Sequence, residues 1–153
     1  SELDNIAKRA ALCHQWEQAI LAGDTIDMEA VEAQWAALPA PSGTHAEAMQ
    51  QRCRQALSRP DDATLSGNLA AKQAACLKLE VLLELESPGE CQAERMAYQI
   101  ERLNSSLKKD RSAQDSPKDL LLDVLTTGAV PADVAGAIEQ RISNCLTHFK
   151  QRL

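Results

Sequence analysis

The side chains able to titrate, ligate or attack are scattered here, and their spacing decides what chemistry they support. Five cysteines, Cys13, Cys53, Cys76, Cys91 and Cys145, are odd in number and far apart, with no Cys-x-x-Cys pair. That pattern argues against a disulfide framework or a zinc ribbon and for small apolar side chains in a reducing compartment. Cys145 and His148 put a sulfur and an imidazole on one helical face, but zinc needs further ligands, and His14 and His45 have no matching spacing. Glu80 and Glu84 share a face without the Glu-x-x-His that a di-iron bundle requires, so they read as a solvated edge. No glycine loop suited to phosphate and no nucleophile beside an evident base occurs. The expectation is a protein without catalytic residues, metal or cofactor.

What remains is a binding pattern. In Ser87 to Leu107, Gln92, Arg95, Gln99 and Arg102 form a row of amides and guanidinium groups beside an apolar stripe of Ala93, Met96, Ile100, Leu103 and Leu107. The stripe is expected to pack, burying Leu103, as Trp35 is expected to be buried on its own helix. The row either binds a partner or reaches the carboxylates of Glu80, Glu84 or Glu86, and the second reading is preferred because long Arg stems cover neighbouring helices. Arg52 and Arg141 are further candidates, expected to hold the carbonyls of a turn.

The elements that must position these residues read as helices. At 153 residues the chain fits one domain. Only 3% of it is aromatic, and Ala, Leu, Glu, Gln and Arg dominate, so the expected fold is all-α. The predicted bundle is antiparallel, with about seven helices. The first covers Leu3 to about Leu21, with Leu3, Ile6, Ala10, Cys13 and Trp16 inward, and the second carries Met28, Val31, Trp35 and Leu38 until Pro39-Ala40-Pro41 stops it. A third spans about Thr44 to Leu57, and a fourth carries Leu65, Leu69, Cys76, Leu79 and Leu83 to near Glu86. The fifth opens at Ser87-Pro88 with Glu90 completing a capping box. A polar loop, Lys108 to Ser116, leads to a short sixth from Ser116-Pro117, and Val134, Ile138, Ile142, Cys145 and Phe149 form the seam of a seventh.

Self-similarity suggests how these helices group. Ala46 to Leu57 aligns with Ala135 to Leu146 at an offset of 89, setting Arg52 on Arg141, and Ala7-Lys8-Arg9-Ala10-Ala11 aligns with Ala71 to Ala75 at an offset of 64. The difference, 89 − 64 = 25, is the length of a helix and its loop. The expectation is one domain, 1–153, built of two degenerate three-helix repeats, about 3–58 and 65–150, with a helix at 88–112 inserted in the second.

Three features carry a resemblance: Lys72-x-x-Ala-Cys-Leu followed by Glu80, Glu32-x-x-Trp35-x-x-Leu38-Pro-x-Pro41, and Arg52 or Arg141 before an apolar residue. Together they resemble a bacterial repeat family known as domain of unknown function 349, and Ser87 to Gln99 is similar to a stretch toward the C-terminal end of its longer members. Pro39 stands where that family has Gly, Val124 where it has a second Trp, and Cys53 and Ile142 where it has Phe. The resemblance implies an all-helical cytoplasmic protein and supplies no activity. A start at Ser1 without methionine suggests a fragment of something longer, and the resemblance implies the C-terminal portion of a longer member.

Net charge is −6, yet Arg52, Arg54 and Arg59, and then Arg95, Arg102, Lys108, Lys109 and Arg111, make local basic patches. Two functions therefore stand. The first is a non-enzymatic interaction module binding a protein partner; the alternative is association with RNA or ribosomes through these basic residues, against which stand the acidic balance and the few stacking rings. No apolar run approaches a membrane span, so no membrane is expected as a partner.

Overall fold

A computed structural model describes residues 1–108 and 114–153. Seven α-helices follow one another: α1 (Glu2–Leu21), α2 (Met28–Ala36), α3 (Ala46–Ala56), α4 (Asp62–Leu82), α5 (Gln92–Leu107), α6 (Pro117–Thr126) and α7 (Ala132–Gln151). No strand occurs among the described residues. The expected all-α bundle of about seven helices is what the described residues form.

Side-chain caps start most of these helices. The Ser1 hydroxyl accepts from Asp4 N–H, Asp27 from Glu29 and Ala30, Asp61 from Thr64 at 2.7 Å, and Ser116 from Asp119 with Pro117 in the first turn. The short α6 is the centre of the bundle, packed against α1, α3, α4 and α7, while α2 lies on α1 and α5 on α4. Leu121, Leu122 and Val124 of α6 join Ile6, Cys13, Met49, Cys76, Leu79 and Cys145 in one continuous core. A stripe on one face of each surrounding helix, and the Leu121, Leu122, Val124 and Leu125 positions of α6, are thereby removed from water.

Several expectations need correction. Ser87 does not cap α5: a single 3₁₀ turn, Gly89–Cys91, intervenes, and Cys91 stands at the helix start without a side-chain hydrogen bond. α4 ends at Leu82 instead of near Glu86, because Glu84 adopts φ 59° and Leu85 N–H reaches back to Glu80 O at 2.7 Å. This left-handed close is the Schellman pattern, with Glu where glycine is usual. α2 stops at Ala36, so Leu38 lies outside it, and of its expected seam Val31 is buried, Trp35 half-buried and Met28 exposed. Trp35 is therefore less covered than expected. Its ring sits 6.0 Å from that of Trp16, and its indole N–H donates to Gln50 Oε1 at 3.1 Å.

The largest departure is α5. Met96, Ile100, Leu103 and Leu107 are 58%, 51%, 61% and 74% exposed, and Ala93 is exposed with them. The opposite face is covered, with Tyr98 as the one buried residue of the helix. Leu103 is thus a surface residue.

No described helix is long and apolar enough to cross a membrane.

Candidate functional site

The site is the outward face of α5 and whatever holds that helix in its rotation. Tyr98, the only tyrosine, donates its hydroxyl hydrogen bond to Asp115 Oδ2 at 2.7 Å, under Lys78 Nζ at 5.6 Å from the ring centroid. Lys78 also stands 3.9 Å from Asp115. Burial, with the Asp115 carboxylate as acceptor, raises the Tyr98 phenol above its ordinary range. At the other end of the helix Arg95 donates to Ser87 Oγ at 2.7 Å, and Ser87 Oγ donates to Glu80 Oε1 at 2.9 Å. Glu80 in turn receives two hydrogen bonds from Arg141, at 3.0 and 2.6 Å. Tyr98 lies on the side of α5 opposite the apolar stripe and Arg95 on its flank, so satisfying both turns the stripe outward.

This arrangement sorts the candidate residues. Gln92, Gln99 and Arg102 are exposed, and Arg95 is half-buried in the Ser87–Glu80–Arg141 chain. The preferred structural reading of the row thus describes Arg95, through a hydroxyl rather than directly, while Gln92, Gln99 and Arg102 remain on the surface. Beneath the C-terminal half of α5 lies a cleft of about 420 Å³ lined by Val81, Leu82, Tyr98, Arg102 and Asp115 among others. Glu80 is buried against Arg141, which corrects the solvated edge expected for Glu80 and Glu84; only Glu84 faces water.

Arg52 and Arg141 turn out to be core residues or nearly so. Arg52 is fully buried, forks onto Glu17 at 3.1 and 2.8 Å, and donates to Leu125 O at 2.6 Å. Burial opposes its charge, yet the hydrogen bonds and charge of Glu17 more than offset this and raise its pKa. The same balance, with Glu80, raises that of Arg141. Arg52 thus holds a carbonyl at the end of α6, whereas the carbonyls of the Trp35 turn are held by Arg9, which sequence reasoning missed. Arg9 donates to Asn5 Oδ1 at 2.9 Å and to Trp35 O, Leu38 O and Pro39 O, with its guanidinium 4.4 Å above the Trp35 ring.

Lys72, part of the Lys-x-x-Ala-Cys-Leu run, is a core residue. It is 1% exposed, and its nearest carboxylate oxygen is Glu139 Oε1 at 3.7 Å, which His14 Nδ1 also approaches at 3.7 Å. Burial, reinforced by the charge of Arg52, lowers its pKa to about 8, with Glu139 pulling the other way. Glu17 and Glu80, the partners of Arg52 and Arg141, are 80 − 17 = 63 residues apart in sequence, the same separation as Arg9 and Lys72 and as Cys13 and Cys76. A basic residue inside an otherwise apolar stripe was the signal available for both Arg9 and Lys72.

Of the basic patches, Arg52 is withdrawn from the surface, Arg54 is bonded to Gln51, and Arg59 donates to Leu21 O. Lys109 and Arg111 lie outside the described residues. Cys145 and His148 form no ligand set: His148 Nδ1 bonds Asn144 O, and no three His, Cys, Asp or Glu side chains converge among the described residues. All five cysteines are free thiols. No family model matches the sequence, and neither a curated protein nor a solved structure matches it.

Proposed function

We propose that the chain is a non-enzymatic helical interaction module that binds a protein partner through the outer face of α5. The observation that carries this reading is the run of Met96, Ile100, Leu103 and Leu107, four large apolar side chains in one line and each more than half exposed. Single exposed apolar residues are ordinary on any protein, but a contiguous line of four on one rigid helix is the form of a docking surface. The rest of the molecule suits a scaffold: its buried arginines Arg9 and Arg52 are engaged in holding helices and turns together. The likeness of the Trp35 turn to the domain of unknown function 349 repeats adds a helical framework and no reaction.

The test places a photo-crosslinking residue at Leu103 and, as a control, at Ala33 on α2, which is also exposed. Protein adducts in cells are expected from position 103 and not from position 33. No protein adduct from position 103 would overturn the reading.

A further inference from the structure

The apolar residues of α5 fall at 93, 96, 100, 103 and 107, which is the three-four alternation of coiled-coil a and d positions. Ala93, Ile100 and Leu107 take a, and Met96 and Leu103 take d. The positions that border such a seam, e and g, are then Gln92, Ala97, Gln99, Asn104 and Ser106, all exposed and all uncharged. The charged residues Glu94, Arg95, Glu101 and Arg102 sit further round, at b and c. Tyr98 and Ser105 take f, the side facing the bundle, and these are the most covered positions of that helix beside Arg95.

We infer that the occupant of this seam is a second copy of the same helix, so that the protein forms a two-fold dimer through α5. This rests on the interaction-module reading and names its partner. The neutral borders are the first reason. A seam built for a charged partner helix carries charges at e and g that select it, whereas here nothing next to the seam opposes or selects, so a copy meets its own image without like charges in contact. In either orientation, parallel or antiparallel, the four large side chains of one copy face the four of the other.

Area is the second reason. The four exposed side chains offer roughly 500 Å² per copy, so a pair hides about 1,000 Å² in all, the lower limit for a specific interface. A heptad seam of sixteen residues is too short to hold an isolated coiled coil, but α5 is already formed and fixed by Tyr98 and Arg95, which removes the cost of ordering it. A dimer with a dissociation constant on the order of micromolar is the expected consequence.

Sedimentation equilibrium of the whole chain, at roughly 5 to 200 µM, tests this. A monomer–dimer equilibrium is expected that tightens modestly with added salt, because each copy carries a net charge of −6 and salt screens their repulsion. Leu103→Glu should weaken it at least about tenfold, Met96→Lys should do the same should the first variant fold poorly, and Met28→Gln, at an exposed site outside the seam, should leave it unchanged. A monomer at every concentration, or a dimer untouched by both seam variants, overturns the inference. If the chain is monomeric while a crosslinker at position 103 still captures a different protein, the second copy is wrong and the interaction-module reading stands. Absence of any adduct removes both. Flotation of a monomer with phosphatidylglycerol vesicles, lost in Leu103→Glu, would assign the seam to lipid and likewise overturn the dimer.

Discussion

Among the buried basic residues Arg9, Arg52 and Lys72, Lys72 is the one whose burial is least compensated. Arg9, Arg52 and Arg141 each make two or more hydrogen bonds to their acceptors, but Lys72 has only the Glu139 carboxylate within salt-bridge reach, at 3.7 Å, with Glu17 acting from further off, while Arg52 repels it. Its pKa of about 8 lies below the ordinary 10.5, so the folded state gives up the proton first. Below pH 8 both states hold it and the burial cost is fully present; between pH 8 and 10.5 the unfolded chain binds more protons, so this group's contribution to stability rises through that window. Lys72→Met is therefore expected to raise stability at pH 7 by on the order of 2–3 kcal/mol and to close part of that gap at pH 10. Denaturant melts of the two proteins at both pH values check this, and the difference between them removes the titration of other groups. Sequence spacing picked out Arg52 and Arg141 because they recur in similar helices, but not their partners. A carboxylate one helix away in space lies 35 or 61 residues away in the chain, and no local pattern encodes that.

At the level of the element, α5 separates what periodicity tells from what it does not. The helices themselves were legible, because apolar residues at three- and four-residue steps and Ser-Pro or Asp starts specify a helix wherever it lies. Ser116 behaves as its sequence suggests. Ser87, with the same Ser-Pro start, instead spends its hydroxyl between Arg95 and Glu80, and a tertiary contact has overridden a local cap. Which way a helix faces is a further question. The a and d seam of α5 fits burial in its own bundle or against another molecule equally well, and the choice was made by Tyr98 and its partner Asp115. Leu103→Ala should accordingly change stability by no more than about 0.5 kcal/mol, as surface changes do, measured at a concentration where any association is absent. Leu121→Ala, at a fully buried position of α6, should cost about 2–5 kcal/mol. Equal losses in thermal melts of the two variants would return α5 to the core.

For the molecule as a whole, the thiols report how closed the bundle is. Burial pushes Cys13, Cys76 and Cys145 up to about 12, far from any reactive thiolate, whereas Cys53 and Cys91 are half-buried. Treatment with a thiol reagent at pH 8 should modify Cys53 and Cys91 in the native protein and the other three at the rate of global unfolding, read by mass spectrometry. Fast modification of all five would mean that the core opens locally. The same closure binds the beginning of the chain to its end. Arg52 reaches Glu17 behind it and Leu125 O far ahead of it, and α6 fills the space between α1, α3 and α4. While a ribosome is still reading through α6, the helices already released therefore have a cavity where their centre should be and a buried guanidinium short of an acceptor. Nascent chains fold early only when an N-terminal part can stand by itself, and here it cannot. Helices α1 to α5 must wait exposed and partly assembled, the state that chaperones bind, until the ten residues of α6 arrive and fill the centre.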